Sequence, residues 1–145
     1  MLGPRGRLGC PHASPGHAKR VVRRYYEDVL VGGRLDVLDD LLAPAFIGHD
    51  SAGATIDRAG YIAGVRGLLD AFSDLSIWVD DQIAESDRVT TRWSAVGRHT
   101  GTFAGIAPTG REVLMAGTDI HRLDGGRVGE LWEQVDFASL LAQLL

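Results

Sequence analysis

From residue 75 to residue 135 this chain alternates, and upstream of that stretch it does not. In "LSIWVDDQIAE" Leu75, Ile77, Val79 and Ile83 fall on one face of an extended chain. In "DRVTTRWSAVGRH" Val89, Thr91, Trp93 and Ala95 do the same. "REVLMAGTDIHRLD" and "GRVGELWEQVD" continue the pattern, with Gly125-Gly126 as the tight hairpin turn between them. A period of two marks a half-buried strand. Four long strands in succession predict an antiparallel sheet with an apolar face that something else in the chain must cover.

The residues before the sheet supply that cover. "HAKRVVRRYYEDVLVGGRLDVLDDLLA" places Val21 or Val22, Tyr25, Val29 and Leu30 at helical spacing. Gly32-Gly33 ends the first helix, and a second runs from Leu35 to Leu42, stopping before Pro44. "PAFIGHDSAGAT" is a short extended piece that leads into a loop. Asp57 reads as the N-cap of a third helix, "RAGYIAGVRGLLDAF", with Ile62, Val65, Leu69 and Phe72 on one stripe. The three glycines inside that helix each cost about 1 kcal/mol relative to alanine, which predicts close packing against a neighbour. Asp136 caps a final short helix, "FASLLAQLL". Helices first and strands after is the α+β order. A curved antiparallel sheet wrapped around N-terminal helices forms a cone with an apolar internal pocket.

Composition narrows the function classes. The 145 residues are 45% hydrophobic, enough for a substantial core. The net charge is −4 with the signs interspersed, so there is no basic patch for nucleic acid. No apolar run approaches the roughly 18 residues of a membrane span. A single cysteine, Cys10, rules out an internal disulfide framework and fits a reducing, cytoplasmic setting. Residues 1–17, "MLGPRGRLGCPHASPGH", have no apolar signal core and read as a flexible tail ahead of a domain over 18–145. Cys10 and His12 in that tail are too few to hold a metal.

The second half carries a denser pattern. It supplies His99-Thr100-Gly101, Gly105-Ile106, Pro108-Thr109-Gly110-Arg111, Asp119-Ile120, Arg122, Gly126, Glu130, Trp132, Asp136 and Gln143-Leu144. With "FIGHD" and "DAFSDLSIWVDDQIAESDRV" upstream, residues 20–145 resemble the SnoaL-like polyketide cyclases, or ester cyclases, of the nuclear-transport-factor-2-like superfamily. The resemblance implies a curved antiparallel sheet and helices around a cavity. It also implies intramolecular aldol chemistry on an apolar, polyketide-like carbonyl compound, without metal or cofactor, and a homodimer built on the outer face of the sheet. The row Leu75, Ile77, Val79 is compatible with such a dimer. In the family the acid/base is an aspartate near the end of the last strand, a position that falls on Glu133 here. Its histidine partner in the strand before falls on Asp119, so both positions depart from the cyclase pattern. Asp119 and Glu133 are therefore the candidate catalytic residues. A carboxyl desolvated in an apolar pocket has its pKa raised toward neutrality, which suits acid/base work.

Strand arithmetic orders the remaining candidates. With Gly125-Gly126 as the loop, Asp119 lies opposite Trp132 and Thr118 opposite Glu133. Asp119, His121, Glu130 and Trp132 then share one face, continued by Val113 and Met115, and Glu133 faces away unless a bulge intervenes. The candidate substrate-binding residues are Tyr25, His49, Trp93, His99, His121, Glu130 and Trp132. Each has a plainer reading. Asp119 could pair with Arg92, the tryptophans could be core, and His121 could be a solvated edge residue. His49-Asp50 could orient a ligand or bond only to nearby backbone. Tyr26 reads as exposed. The stretch 97–112, glycine-rich between two strands with His99 at its start, reads as a loop on the cavity rim. His49, His99 and His121 show no close metal-ligand spacing. Two other readings stay open on this fold, a non-catalytic small-molecule binding module and an isomerase- or epoxide-hydrolase-like enzyme.

Overall fold

The computed structural model describes residues 14–145. Cys10, His12 and the first thirteen residues of the expected tail lie outside them. Helix α1 spans Pro15–Arg24, so it begins inside the expected tail, with Ser14 accepting from the His17 backbone N–H and Pro15 in the first turn. It runs on into a π-helical segment, Tyr25–Val31, whose last bond is Gly32 N–H to Glu27 C=O. Helix α2 is Leu35–Leu41, strand β1 Leu42–His49, strand β2 Thr55–Asp57 and helix α3 Arg58–Ala71. Strands β3 (Phe72–Glu85), β4 (Arg88–His99), β5 (Glu112–Asp124) and β6 (Arg127–Val135) follow, then helix α4, Phe137–Leu144.

The six strands form one sheet in the order β2-β1-β6-β5-β4-β3. The four long strands pair antiparallel as expected, and β1 joins them parallel to β6. This is the expected α+β cone. Its core is built from α1, the π segment and α2 against the inner face, with Val22, Val29, Leu38, Val89 and Leu131 fully enclosed. The caps are as read: Asp57 accepts from the Gly60 N–H at 2.8 Å, and Asp136 from the Ser139 N–H at 3.1 Å. Gly125 and Gly126 both take positive φ, 57° and 82°, in the β5–β6 turn.

Two expectations are overturned by irregular backbone. Between β5 and β6 the pairs Arg122↔Glu130 and Leu123↔Val128 leave Gly129 as an extra residue. This bulge slides the register so that Asp119 faces Glu133, and Ile120 faces Trp132. Asp119 and Glu133 share the inner face, and Glu130 and Trp132 turn to the outer one. A Cβ at Gly129 would come within 3.0 Å of the Arg122 guanidinium, so glycine suits the bulge. A second shift, between Val79 and Asp81, inverts the end of β3. Gln82 turns inward to donate to Thr91, and Ile83 lies 66% exposed instead of continuing the apolar row. Leu75, Ile77 and Val79 pack on the core and so form no part of an outer dimer face. On α3 the expected stripe does face the core, with Val65 buried and Ile62 and Leu69 packed against it, joined by buried Tyr61, and Phe72 is already the first residue of β3.

Candidate active site

The cone is hollow. A cavity of about 550 Å³ opens between α3, the inner face of the sheet and the start of α4. Its walls are largely apolar, with Leu30, Val65, Leu68, Leu75, Ile77 and Met115 among them. Three carboxyl groups line it: Asp50, Asp119 and Glu133.

Asp119 is held by both sides of the fold. Tyr26 of the π segment donates to its Oδ2 at 2.7 Å, and the Trp93 indole N–H donates to the same oxygen at 2.8 Å. Oδ1 is buried and has no partner. Burial is the main cause that pushes the Asp119 carboxyl from 3.8 up to about 7. The Tyr26 bond opposes that rise, the charge of Glu133 adds to it, and the Trp93 bond opposes it again. Glu133 accepts from the Tyr61 hydroxyl at 3.1 Å, and burial raises its pKa too, with Tyr61 opposing and Asp50 adding. Tyr25, Tyr26 and Tyr61 have phenols pushed well above the usual range, chiefly by burial. They are neutral hydrogen-bonding groups at any physiological pH.

Local sequence explains how these groups arrive together. The wider π-helical turn brings two consecutive tyrosines, Tyr25 and Tyr26, inward, with ring centroids 5.0 Å apart. Tyr26 is thus 1% exposed, not the surface residue expected of it. Trp93 lies across from Gly117 on β5, where a Cβ would stand 2.7 Å from the indole. The missing side chain lets the ring lie flat on the sheet and reach Asp119. On α3, Gly60 and Gly64 line the cavity. A Cβ at Gly64 would meet nothing within 4 Å, so this glycine widens the pocket instead of packing tightly, contrary to expectation.

Of the sequence candidates, the structure brings Tyr25, Trp93, Asp119 and Glu133 to the cavity. The pairing of Asp119 with Arg92 does not occur; Arg92 approaches Asp80 instead. His49, Glu130 and Trp132 form a cluster on the outer face. His49 donates to Glu130 at 2.8 Å and stacks on Trp132 at 5.3 Å, with Arg88 over the indole and Arg122 beside Glu130. His99 is buried outside the cavity lining. The Thr109 N–H donates to its Nδ1 at 3.2 Å, which fixes the loop after β4. His121 is buried among Tyr25 and Tyr26 rather than solvated at an edge, and burial alone pulls its pKa down to about 3. It borders a small separate void of about 10 Å³ behind Tyr25 and Tyr61. The three histidines do not converge, and among the described residues no three His, Cys, Asp or Glu side chains gather as a metal site.

The loop after β4 does rim the cavity, through Phe103. Thr100 and Gly101 both donate to the Ala71 carbonyl, and a Cβ at Gly101 would collide with the Asp70 carbonyl at 2.3 Å. Sequence reasoning missed Tyr61 and Phe103; Asp50, read as orienting a ligand or bonding nearby backbone, lines the cavity and also accepts from the Ala52 and Ala54 N–H groups. Tyr61 had a usable signal, since Tyr61, Val65 and Leu68 also recur at helical spacing.

An open sheet curled round helices, with a greasy hollow and carboxyl groups stranded inside it, defines the nuclear-transport-factor-2-like class of cone. Within that class the sequence profile of the SnoaL-like polyketide cyclases matches residues 20–144, and the chain belongs to that family. AclR from Streptomyces galilaeus, a candidate hydroxylase, is 26% identical, with a TM-score of 0.83 over 90% of this chain and 86% of that one. IdmH from Streptomyces antibioticus, a candidate polyketide cyclase, is 30% identical, with a TM-score of 0.77 over 88% of this chain and 97% of that one. A SnoaL-like protein from Jannaschia sp. CCS1 has a TM-score of 0.84 at 21% identity, covering 96% and 97% of the two chains, and shows the shared fold. No curated protein matches this chain. Among the described residues, no helix is long and apolar enough to cross a membrane.

Proposed function

We propose that this protein is a cyclase-type enzyme in which Asp119 and Glu133 act as an acid/base pair on an apolar carbonyl substrate, without a cofactor. The observation that carries the reading is the cross-strand pairing of buried Asp119 with half-buried Glu133 where both line an apolar cavity. Asp119 is the more deeply buried and holds its proton to about pH 7. Glu133 is the base. It takes the proton from a carbon flanked by two carbonyls. The enolate carbon attacks a ketone of the same molecule, a C–C bond forms, and the ketone oxygen becomes an alkoxide. Asp119 delivers a proton to that oxygen. The product is an isomer of the substrate, and the proton count closes with Asp119 ionised and Glu133 protonated. A water-borne proton transfer resets the pair.

The likeness to IdmH, a candidate polyketide cyclase, supports this chemistry over simple binding. A homodimer and a cytoplasmic location belong to the same reading. The test is turnover of an aryl β-keto ester with a pendant ketone, followed by the absorbance of the cyclised product. Glu133→Gln and Asp119→Asn should each lower kcat by 100-fold or more, with circular dichroism confirming that both variants fold. Full turnover in both would refute the acid/base assignment and leave a binding module.

A further inference from the structure

The cavity is one-sided in charge. Asp50, Asp119 and Glu133 line it, and among the described residues no lysine, arginine or histidine does. Several donors around it are already used, although the Tyr25 hydroxyl on its wall reaches no carboxyl. The Tyr26 hydroxyl and the Trp93 indole N–H both go to Asp119 Oδ2, and the Tyr61 hydroxyl goes to Glu133 Oε1. Ser51 at the mouth donates to the Glu133 carbonyl. What remains for a ligand is mainly acceptor capacity. Glu133 has its second carboxylate oxygen free of side-chain bonds. Asp50 spends one oxygen on the Ala52 and Ala54 N–H groups and keeps the other. An acidic wall with no basic side chain beside it is matched by a group that is both a donor and positive. The neighbouring rings of Tyr25 and Tyr61, with centroids 6.3 Å apart, add faces on which a cation rests favourably.

We infer that the molecule this pocket takes carries a basic nitrogen, seated as a cation against Glu133 on its Asp50 side, in addition to the carbonyl that faces Asp119. The inference rests on the reading of the cavity as a substrate site and adds the charge class of the substrate. An anionic ligand, such as a free carboxylate or a phosphate ester, meets Asp50 and Glu133 with no counter-charge and is refused.

The test uses one aromatic skeleton with three end groups: (2-naphthylmethyl)dimethylamine, methyl 2-naphthyl ketone and 2-naphthylacetate. Titration calorimetry at pH 7.5 on the wild-type protein should give the amine at least tenfold tighter than the ketone, with no measurable heat for the acetate. Glu133→Gln should remove about tenfold of the amine's affinity and change the ketone's by far less, and a thermal melt confirms that the variant folds. If the ketone binds as tightly as the amine, or the acetate binds at all comparably, the charge inference is overturned while the cavity reading stands. If none of the three binds, the cavity reading falls and the inference goes with it.

Discussion

Replacing Asp119 by asparagine should make the protein less stable in acid and more stable in mild base. The magnitude follows from the burial of this carboxyl. An ordinary aspartate loses its proton near 3.8, and Asp119 in the fold holds its proton to about 7. Below pH 3.8 both folded and unfolded chains carry the proton, and the contribution to stability is complete. From there up to 7 the folded chain binds a proton that the unfolded chain has released, so stability falls as pH rises. Each pH unit in that window is worth about 1.4 kcal/mol, which sums to about 4 kcal/mol by pH 8. Asparagine carries no such penalty. Its amide oxygen can take the bonds from Tyr26 and Trp93, but its NH₂ replaces the partnerless Oδ1. An unpaired buried amide costs about 1–3 kcal/mol at every pH. The two stability curves should therefore cross between about pH 4.5 and pH 6, with Asp119→Asn ahead by about 1–3 kcal/mol at pH 8. Urea unfolding followed by tryptophan emission, repeated at half-unit steps from pH 4.5 to 8.5, measures the difference directly. A difference that stays constant across the range would refute the reasoning, because Asp119 would then titrate as an ordinary surface carboxyl.

Two further substitutions probe how the site is built. Gly117→Ala puts a methyl group 2.7 Å from both the Trp93 ring and the Gln134 carbonyl, so it should cost about 1–3 kcal/mol in a urea melt. It should also break the Trp93 bond and raise the Asp119 midpoint further, seen as a shift in the pH dependence of tryptophan emission. Gly64→Leu should do the reverse for stability, gaining up to about 1 kcal/mol from helix propensity. It should weaken binding of methyl 2-naphthyl ketone at least fivefold by calorimetry, because the new side chain enters the open side of the cavity.

Most of the architecture was legible because it is written locally. Period-two alternation, Asp57 and Asp136 before helical runs, and Gly125-Gly126 between strands each act within a few residues. The tertiary structure confirms them almost residue for residue. The family pattern was equally local, and it named Glu133 and Asp119 when strand arithmetic alone put them on opposite faces. What local pattern could not fix was which way a strand faces after one inserted residue. Alternation says only that neighbours point apart; the Gly129 and β3 bulges reset that parity, and their placement follows from packing on residues far away in sequence. The same holds for Tyr26, which a helical wheel leaves outside until a π-helical turn brings it to Asp119 across 93 positions of chain. The sequence by itself therefore determined the elements, their order and the family. Only the folded chain decided which acidic groups are stranded in the hollow, because that depends on long-range register and burial, which no short stretch of residues contains.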